Sequence, residues 1–212
     1  QSRSRDMLAF GDFLLDFRPA PQGALPVRIE RSIPAETCGQ EWRVSTHVHR
    51  DRRTPPLAHV ASERWEAWAI GDIYRYSDRA GSTGECLSEF LRSGMKYPER
   101  LAGRFAVAAW NKAERRWSVW TDRVGSVHVY YTAAPDGRVM GTYSPAIYAA
   151  SRGRLDWAAL SGFFAYGFFP QDRTHIEGVR VMRPASRYDF DAQGRGLGRQ
   201  QYWRWRHMPD TH

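Results

Sequence analysis

The sequence predicts an α+β domain built on antiparallel sheets, and three observations carry that prediction. Short apolar stretches, alternating or continuous, recur along most of the chain between Gly, Pro and Asp-Gly punctuation. Only two or three stretches show helical spacing. No GxGxxG, P-loop or HExxH occurs, so nothing marks a parallel dinucleotide fold. Alternation on several strands implies sheets with two unlike faces.

Taken in order, residues 8–18 form a strand-like run closed by Pro19, Pro21, Gly23 and Pro26. Residues 42–49 alternate as a strand, which Pro55 and Pro56 break. Residues 65–76 are aromatic-rich and read as a strand interrupted at Gly71. Residues 84–94 carry Leu87, Phe90 and Leu91 at helical spacing, with a cap from Ser82. Residues 105–110 are a buried-strand pattern, 111–116 a charged turn and 117–120 a second strand. Residues 122–125 form a loop, and 127–132 a third strand. Asp136-Gly137 signals a hairpin whose return arm is 139–143. A short helix covers 144–150. A longer one covers 156–167, with Leu160, Phe163 and Phe164 on its apolar side. Val179 and Met182 precede a turn at Arg183-Pro184. A last strand spans 187–191, followed by a glycine-rich turn at Gly194, Gly196 and Gly198 and then residues 201–205.

Composition bounds the function. At 212 residues, 42% hydrophobic and 14% aromatic, the chain supports one substantial core. No apolar run reaches membrane-spanning length, and residues 1–17 make a poor secretory signal. Cys38 and Cys86 form neither a disulfide framework nor a metal site, so reduced thiols in a cytoplasmic protein are the expectation. The net charge of +8 is mostly arginine. The arginines are scattered without a nucleic-acid-binding signature, which disfavours nucleic acid and leaves room for an acidic peptide, a nucleotide or another domain. His47 and His49 alternate on a strand without a third ligand, so no metal is expected.

Several motifs fall in one register. Leu101-Ala102-Gly103-Arg104-Phe105-Ala106 resembles L-x-G-x-F-A-F. Asp122-Arg123-Val124-Gly125-Ser126 with Tyr130-Tyr131 resembles R-D-R-x-G-x-x-P-L-Y-Y. Ile70-Gly71-Asp72-Ile73-Tyr74 resembles N-G-E-I-Y-N. Gly167, Pro170, Thr174, Val179 and Pro184 follow G-x-x-P-x-x-x-T-x-x-x-x-I-x-x-L-x-P, and Tyr202-Trp203 matches a closing Tyr-Trp. Over about residues 7–205 the chain resembles the N-terminal glutamine amidotransferase domain of asparagine-synthetase-related enzymes. The resemblance implies a four-layer αββα sandwich of two antiparallel sheets. It also implies an N-terminal cysteine that attacks glutamine, with its own α-amine as base, and a C-terminal domain that uses ATP to adenylate a carboxylate.

The chain departs from that family where the chemistry lies. Its C-G-I-F-G start corresponds to Met7-Leu8-Ala9-Phe10-Gly11, and methionine has no ionisable thiol. The oxyanion-hole asparagine is Ile70, which cannot donate a hydrogen bond. The glutamate is Asp72, and the acidic residue before L-x-G is Arg100. Cys38 lies too close to Gly71 to replace the nucleophile, and either Arg43 or Arg50 stands for the carboxylate-binding arginine. The resemblance therefore implies a catalytically silent domain with a vestigial pocket of Ile70, Gly71, Asp72 and Arg100. Beta-lactam synthetases and lasso-peptide cyclases show the same pattern.

Asp122, Arg123 and Gly125 read as a structural loop. Residues 1–205 are the expected domain, with 206–212 opening a linker to an adenylating synthetase domain in the same protein. This chain needs no cofactor of its own, since ATP and Mg belong to that second domain. Its partner would be a peptide or a small amino-acid-derived substrate, and the oligomeric state is open. An active glutamine-hydrolysing domain and a stand-alone binding or scaffold protein are the alternatives.

Overall fold

The computed structural model describes residues 9–18, 32–39, 41–49, 56–75, 81–134, 137–142 and 144–205. In chain order its elements are β1 (Ala9–Asp16), β2 (Ser32–Cys38), β3 (Arg43–His49), β4 (Pro56–Ala61), β5 (Trp65–Arg75), α1 (Thr83–Arg92), β6 (Leu101–Asn111), β7 (Arg116–Thr121), β8 (Tyr130–Ala134), β9 (Gly137–Gly141), α2 (Ser144–Ser151), α3 (Trp157–Tyr166), β10 (Val179–Val181), β11 (Ser186–Asp191) and β12 (Gly196–Gln201). The strands form two six-stranded sheets, ordered β10-β8-β9-β1-β3-β2 and β4-β5-β6-β7-β11-β12. All pairings between these strands are antiparallel. The sheets are hydrogen-bonded to each other at one seam, where Ala9 and Phe10 of β1 pair with Leu57 and Pro56 of β4.

Side chains alternate across each strand, and both faces of both sheets use that alternation. Phe13, Leu15, Val44 and Met140 of the first sheet meet Trp68, Ile70, Ala106, Ala108, Trp117 and Val119 of the second, closing the core between the sheets. The intervening residues point outward. Ala67, Ala69, Ile73, Val107 and Trp120 receive Leu87, Phe90 and Leu91 of α1. Leu14, Val139 and Val179 receive Ala146, Ile147 and Ala150 of α2. The layers run α1, second sheet, first sheet, α2, which is the expected αββα sandwich. Four tryptophans fill part of the centre. Trp117 lies 5.0 Å from Trp42, 5.7 Å from Trp68 and 5.4 Å from Trp110, in edge and tilted arrangements.

Local chemistry starts the helices where the sequence says. Ser82 and Glu85 form a capping box at α1: the Ser82 hydroxyl accepts from the Glu85 N–H, and the Glu85 carboxylate accepts from the Ser82 N–H. Asp156 caps α3 by accepting from Ala159 N–H, and Gly167 ends it in the left-handed region at φ +78°.

Several expectations are corrected. Gly71 does not interrupt its strand, because β5 pairs with β6 continuously from Trp65 to Arg75. The 42–49 strand ends at His49, before Pro56. Pro56 is itself the first residue of the next strand, β4, where a missing N–H is tolerated. The third strand begins at Tyr130 and not at Val127, since residues 122–129 wrap around the Asp122 carboxylate. Gly196 and Gly198 lie in β12 and not in a turn. The apolar side of α3 is not buried. Only Ala159 is, while Phe163 is 39% and Phe164 80% exposed. The outer face of the first sheet is already occupied by α2.

Candidate functional site

Three of the four predicted pocket residues, Ile70, Gly71 and Asp72, lie on β5 where it pairs with β6. Ile70 belongs to a transverse row that starts at the seam, with Ala9 opposite Leu57, Leu57 opposite Ile70 and Ile70 opposite Ala106. Its side chain is 1% exposed and packed in the core between the sheets. One residue on, the two backbones close up. Gly71 has φ +104° and Gly103 φ +117°. A β-carbon at Gly71 would lie 1.9 Å from the Arg104 carbonyl oxygen, and one at Gly103 would lie 1.9 Å from the Asp72 carbonyl oxygen. Only glycine meets both the conformation and the approach. Asp72 and Arg104 are opposite each other in the ladder, both exposed, with their charged groups 3.3 Å apart. Such a pair contributes about 0–1 kcal/mol.

The helix α1 completes this crossing. The Thr83 hydroxyl donates to the Gly71 carbonyl at 3.1 Å and accepts from the Ile73 N–H at 3.1 Å. The first turn of α1 thereby satisfies backbone groups on the bent part of β5. Arg100 lies elsewhere. It is exposed on the 3-10 turn Pro98–Arg100, with its guanidinium 4.3 Å from the Tyr97 ring. With Arg75, Glu89 and Tyr97 it lines a cavity of about 420 Å³ beside α1, whose walls do not include Ile70, Gly71 or Asp72. Met7 and Arg50 lie outside the described residues. Arg43 is held at the end of β1 remote from the seam, 3.1 Å from Asp16, which also pairs with Arg18 at 2.6 Å. Burial alone pushes the Asp16 carboxyl up. The hydrogen bonds and charge of Arg18 and Arg43 overrule it and hold the carboxyl below its ordinary value.

The Asp122 loop is built from backbone hydrogen bonds. Asp122 is 1% exposed, and its carboxylate accepts from the N–H groups of Phe105, Val124 and Val127 at 3.2, 2.9 and 3.2 Å. Its carbonyl accepts from Ala185 N–H. The Asp122 side chain thus ties β6 to the loop, and its main-chain carbonyl ties both to the chain entering β11. Arg123 donates to the Glu99 carbonyl and lies 5.5 Å from the Trp203 ring. Gly125 has φ +70°, and a β-carbon there would lie 3.0 Å from Pro184. Tyr202 donates to the Thr121 carbonyl at 2.6 Å, and burial, followed by the Asp122 charge, raises its phenol far above the ordinary value.

Neither cysteine adjoins this crossing as a reactive group. Cys86 is 2% exposed within α1, where burial pushes its thiol up, and Cys38 is exposed on β2. Among the described residues no group of three His, Cys, Asp or Glu side chains is placed to hold a metal ion, and no helix is long and apolar enough to cross a membrane. Sequence reasoning missed Thr83 and Arg104. Arg104 could have been read from the strand register opposite Asp72. Thr83 had no signal beyond its place after the cap.

A family model described as glutamine amidotransferase domain matches residues 74–203. Among solved structures, the chain is similar to glutamine phosphoribosylpyrophosphate amidotransferase from B. subtilis, complexed with ADP and GMP. The identity is 12% and the TM-score 0.38, over 76% of this chain and 35% of that one. The chain thus spans about a third of that enzyme's length, and nothing of its chemistry is carried over. No curated protein matches.

Proposed function

The chain belongs to the glutamine amidotransferase domain family, and from that premise we propose that it is a member without glutaminase activity, serving as the non-catalytic domain of an ATP-dependent amide-bond-forming enzyme. The observation that carries this reading is Ile70. It occupies the position where the resemblance places the oxyanion-binding asparagine, and it is an aliphatic side chain sealed in the core between the sheets. No donor at that side chain can stabilise the oxyanion formed when a nucleophile attacks the glutamine amide. Met7 stands at the nucleophile position of the same register and supplies no thiolate.

With ammonia production gone, the amine that enters the amide bond belongs to the substrate itself. A second domain, of the asparagine-synthetase, beta-lactam-synthetase or lasso-cyclase type, activates the carboxylate with ATP and Mg. This domain then contributes a rigid wall. The glycine pair Gly71 and Gly103 and the Asp122 loop keep the frame although the reacting groups are replaced. A peptide or a small amino-acid-derived molecule is the substrate class, and the cytoplasm is its compartment.

Ammonia release from glutamine, measured on the full-length protein, tests this directly. Background rates are expected. Robust release abolished by a thiol-alkylating reagent would overturn it. The 212-residue chain is further expected to show no ATP–pyrophosphate exchange, and detectable exchange would place adenylation within this chain.

A further inference from the structure

Beyond the silent glutaminase site, the structure assigns a second site, for a nucleoside phosphate, at the far edge of the second sheet. A cavity of about 440 Å³ opens there between the turn before β11, the edge strand β12 and residues 203–205. Arg123, Arg183, Arg199 and Arg204 all contribute to its walls, and among the described residues no carboxylate does. Several arginines elsewhere are matched with acids: Arg18 and Arg43 with Asp16, Arg173 with Asp156, Arg187 with Asp189, Arg195 with Asp191. Arg183 and Arg199 have no ion-pair partner among the described residues. Among the described residues Arg204 is engaged only through Nε to Gln201 Oε1 at 3.2 Å, which leaves its outer nitrogens for a ligand. Arg123 is fixed by the Glu99 carbonyl, with its guanidinium over one face of Trp203.

Convergent cationic groups without a counter-charge repel one another unless an anion lies between them. Guanidinium forks suit the oxygens of a phosphate, which they hold through parallel charge-assisted hydrogen bonds. The aromatic part of the site asks for a planar group beside the anion. Trp205 is 78% exposed and meets Trp203 edge-on at 5.7 Å, so its ring face is open to a stacking partner. A base on Trp205 with its phosphates among Arg183, Arg199 and Arg204 satisfies both halves, and the cavity volume is that of a small-molecule site. A carboxylate-rich peptide would match the charge alone. This assignment does not rest on the absence of glutaminase activity, and neither outcome of the ammonia assay bears on it.

Isothermal titration of the purified 212-residue chain with ADP, pyrophosphate and adenosine tests the site. ADP is expected to bind saturably, and more tightly than either half alone. Arg199→Gln combined with Arg204→Gln should weaken ADP and pyrophosphate at least tenfold. Trp205→Ala should weaken ADP several-fold and leave pyrophosphate unchanged. These side chains are exposed, and unchanged circular dichroism of each variant will separate lost binding from lost folding. The site is overturned by absence of ADP binding at millimolar concentration, by affinity unaltered in both variants, or by an acidic peptide binding more tightly than ADP.

Discussion

A β-carbon at position 103 would collide with the Asp72 carbonyl, and one at position 71 with that of Arg104. These glycines are fixed by backbone geometry, whatever chemistry the domain performs. Gly103→Ala should lower stability by about 2–4 kcal/mol, read from a urea transition, because both the left-handed φ and the contact oppose a side chain. Ile70→Asn tests the neighbouring position from the other direction. Placing an amide in the core between the sheets should destabilise by about 2–3 kcal/mol and restore no ammonia release, since its polar atoms lack partners there. At this scale the sequence was informative about identity and blind to surroundings. The glycines and the Asp122 loop were legible because their residue types have few uses. Arg100, adjacent to the motif in sequence, stacks on Tyr97 away from Asp72, and the Thr83 bridge depends on where a later helix begins.

At the scale of elements, the helix starts depend on carboxylates. Glu85 is held below its ordinary value by hydrogen bonds from Ser82, its backbone N–H first and its hydroxyl next. Asp156 is held low by the Arg173 guanidinium and then by the Ala159 N–H. A carboxyl whose folded value is depressed contributes its stabilisation above the unfolded value, about 4, and loses it as pH falls through the folded value. The starts of α1 and α3 should therefore be insensitive between pH 7 and 5 and loosen below about pH 4. The amide shifts of Glu85 and Ala159, followed by NMR, report this, and Asp156→Asn should keep the α3 cap while removing its pH dependence. Strands were legible where the apolar run was continuous, as in β6, or where alternation was clean, as in β7. β2 carries no clean alternation and went unread, and its edge position, paired only with β3, accommodates Pro34. The composition of α3 predicts burial, but its anchorage comes from Asp156, Arg173 and the Phe163–Phe169 stack at 4.8 Å, which leave its other aromatics in solvent.

For the whole molecule, the layer order followed from the resemblance, whereas the joining of the two sheets did not. That joining is a seam of two residue pairs, and one of its four residues, Pro56, has no N–H to donate. The sandwich is thus two long-range assemblies coupled by side-chain packing and by very few main-chain bonds. Such a boundary is where a protein opens below its global unfolding threshold. Native-state amide exchange should resolve two cooperative blocks. The β5–β6–β7 block, with eleven register pairs between β5 and β6, should exchange last. The shorter β8–β9–β10 pairings should open together and earlier. A single exchange rate common to both blocks would mean that the packed tryptophans, rather than the backbone network, set the unit of unfolding. The seam would then be a point of contact and not a line of cleavage.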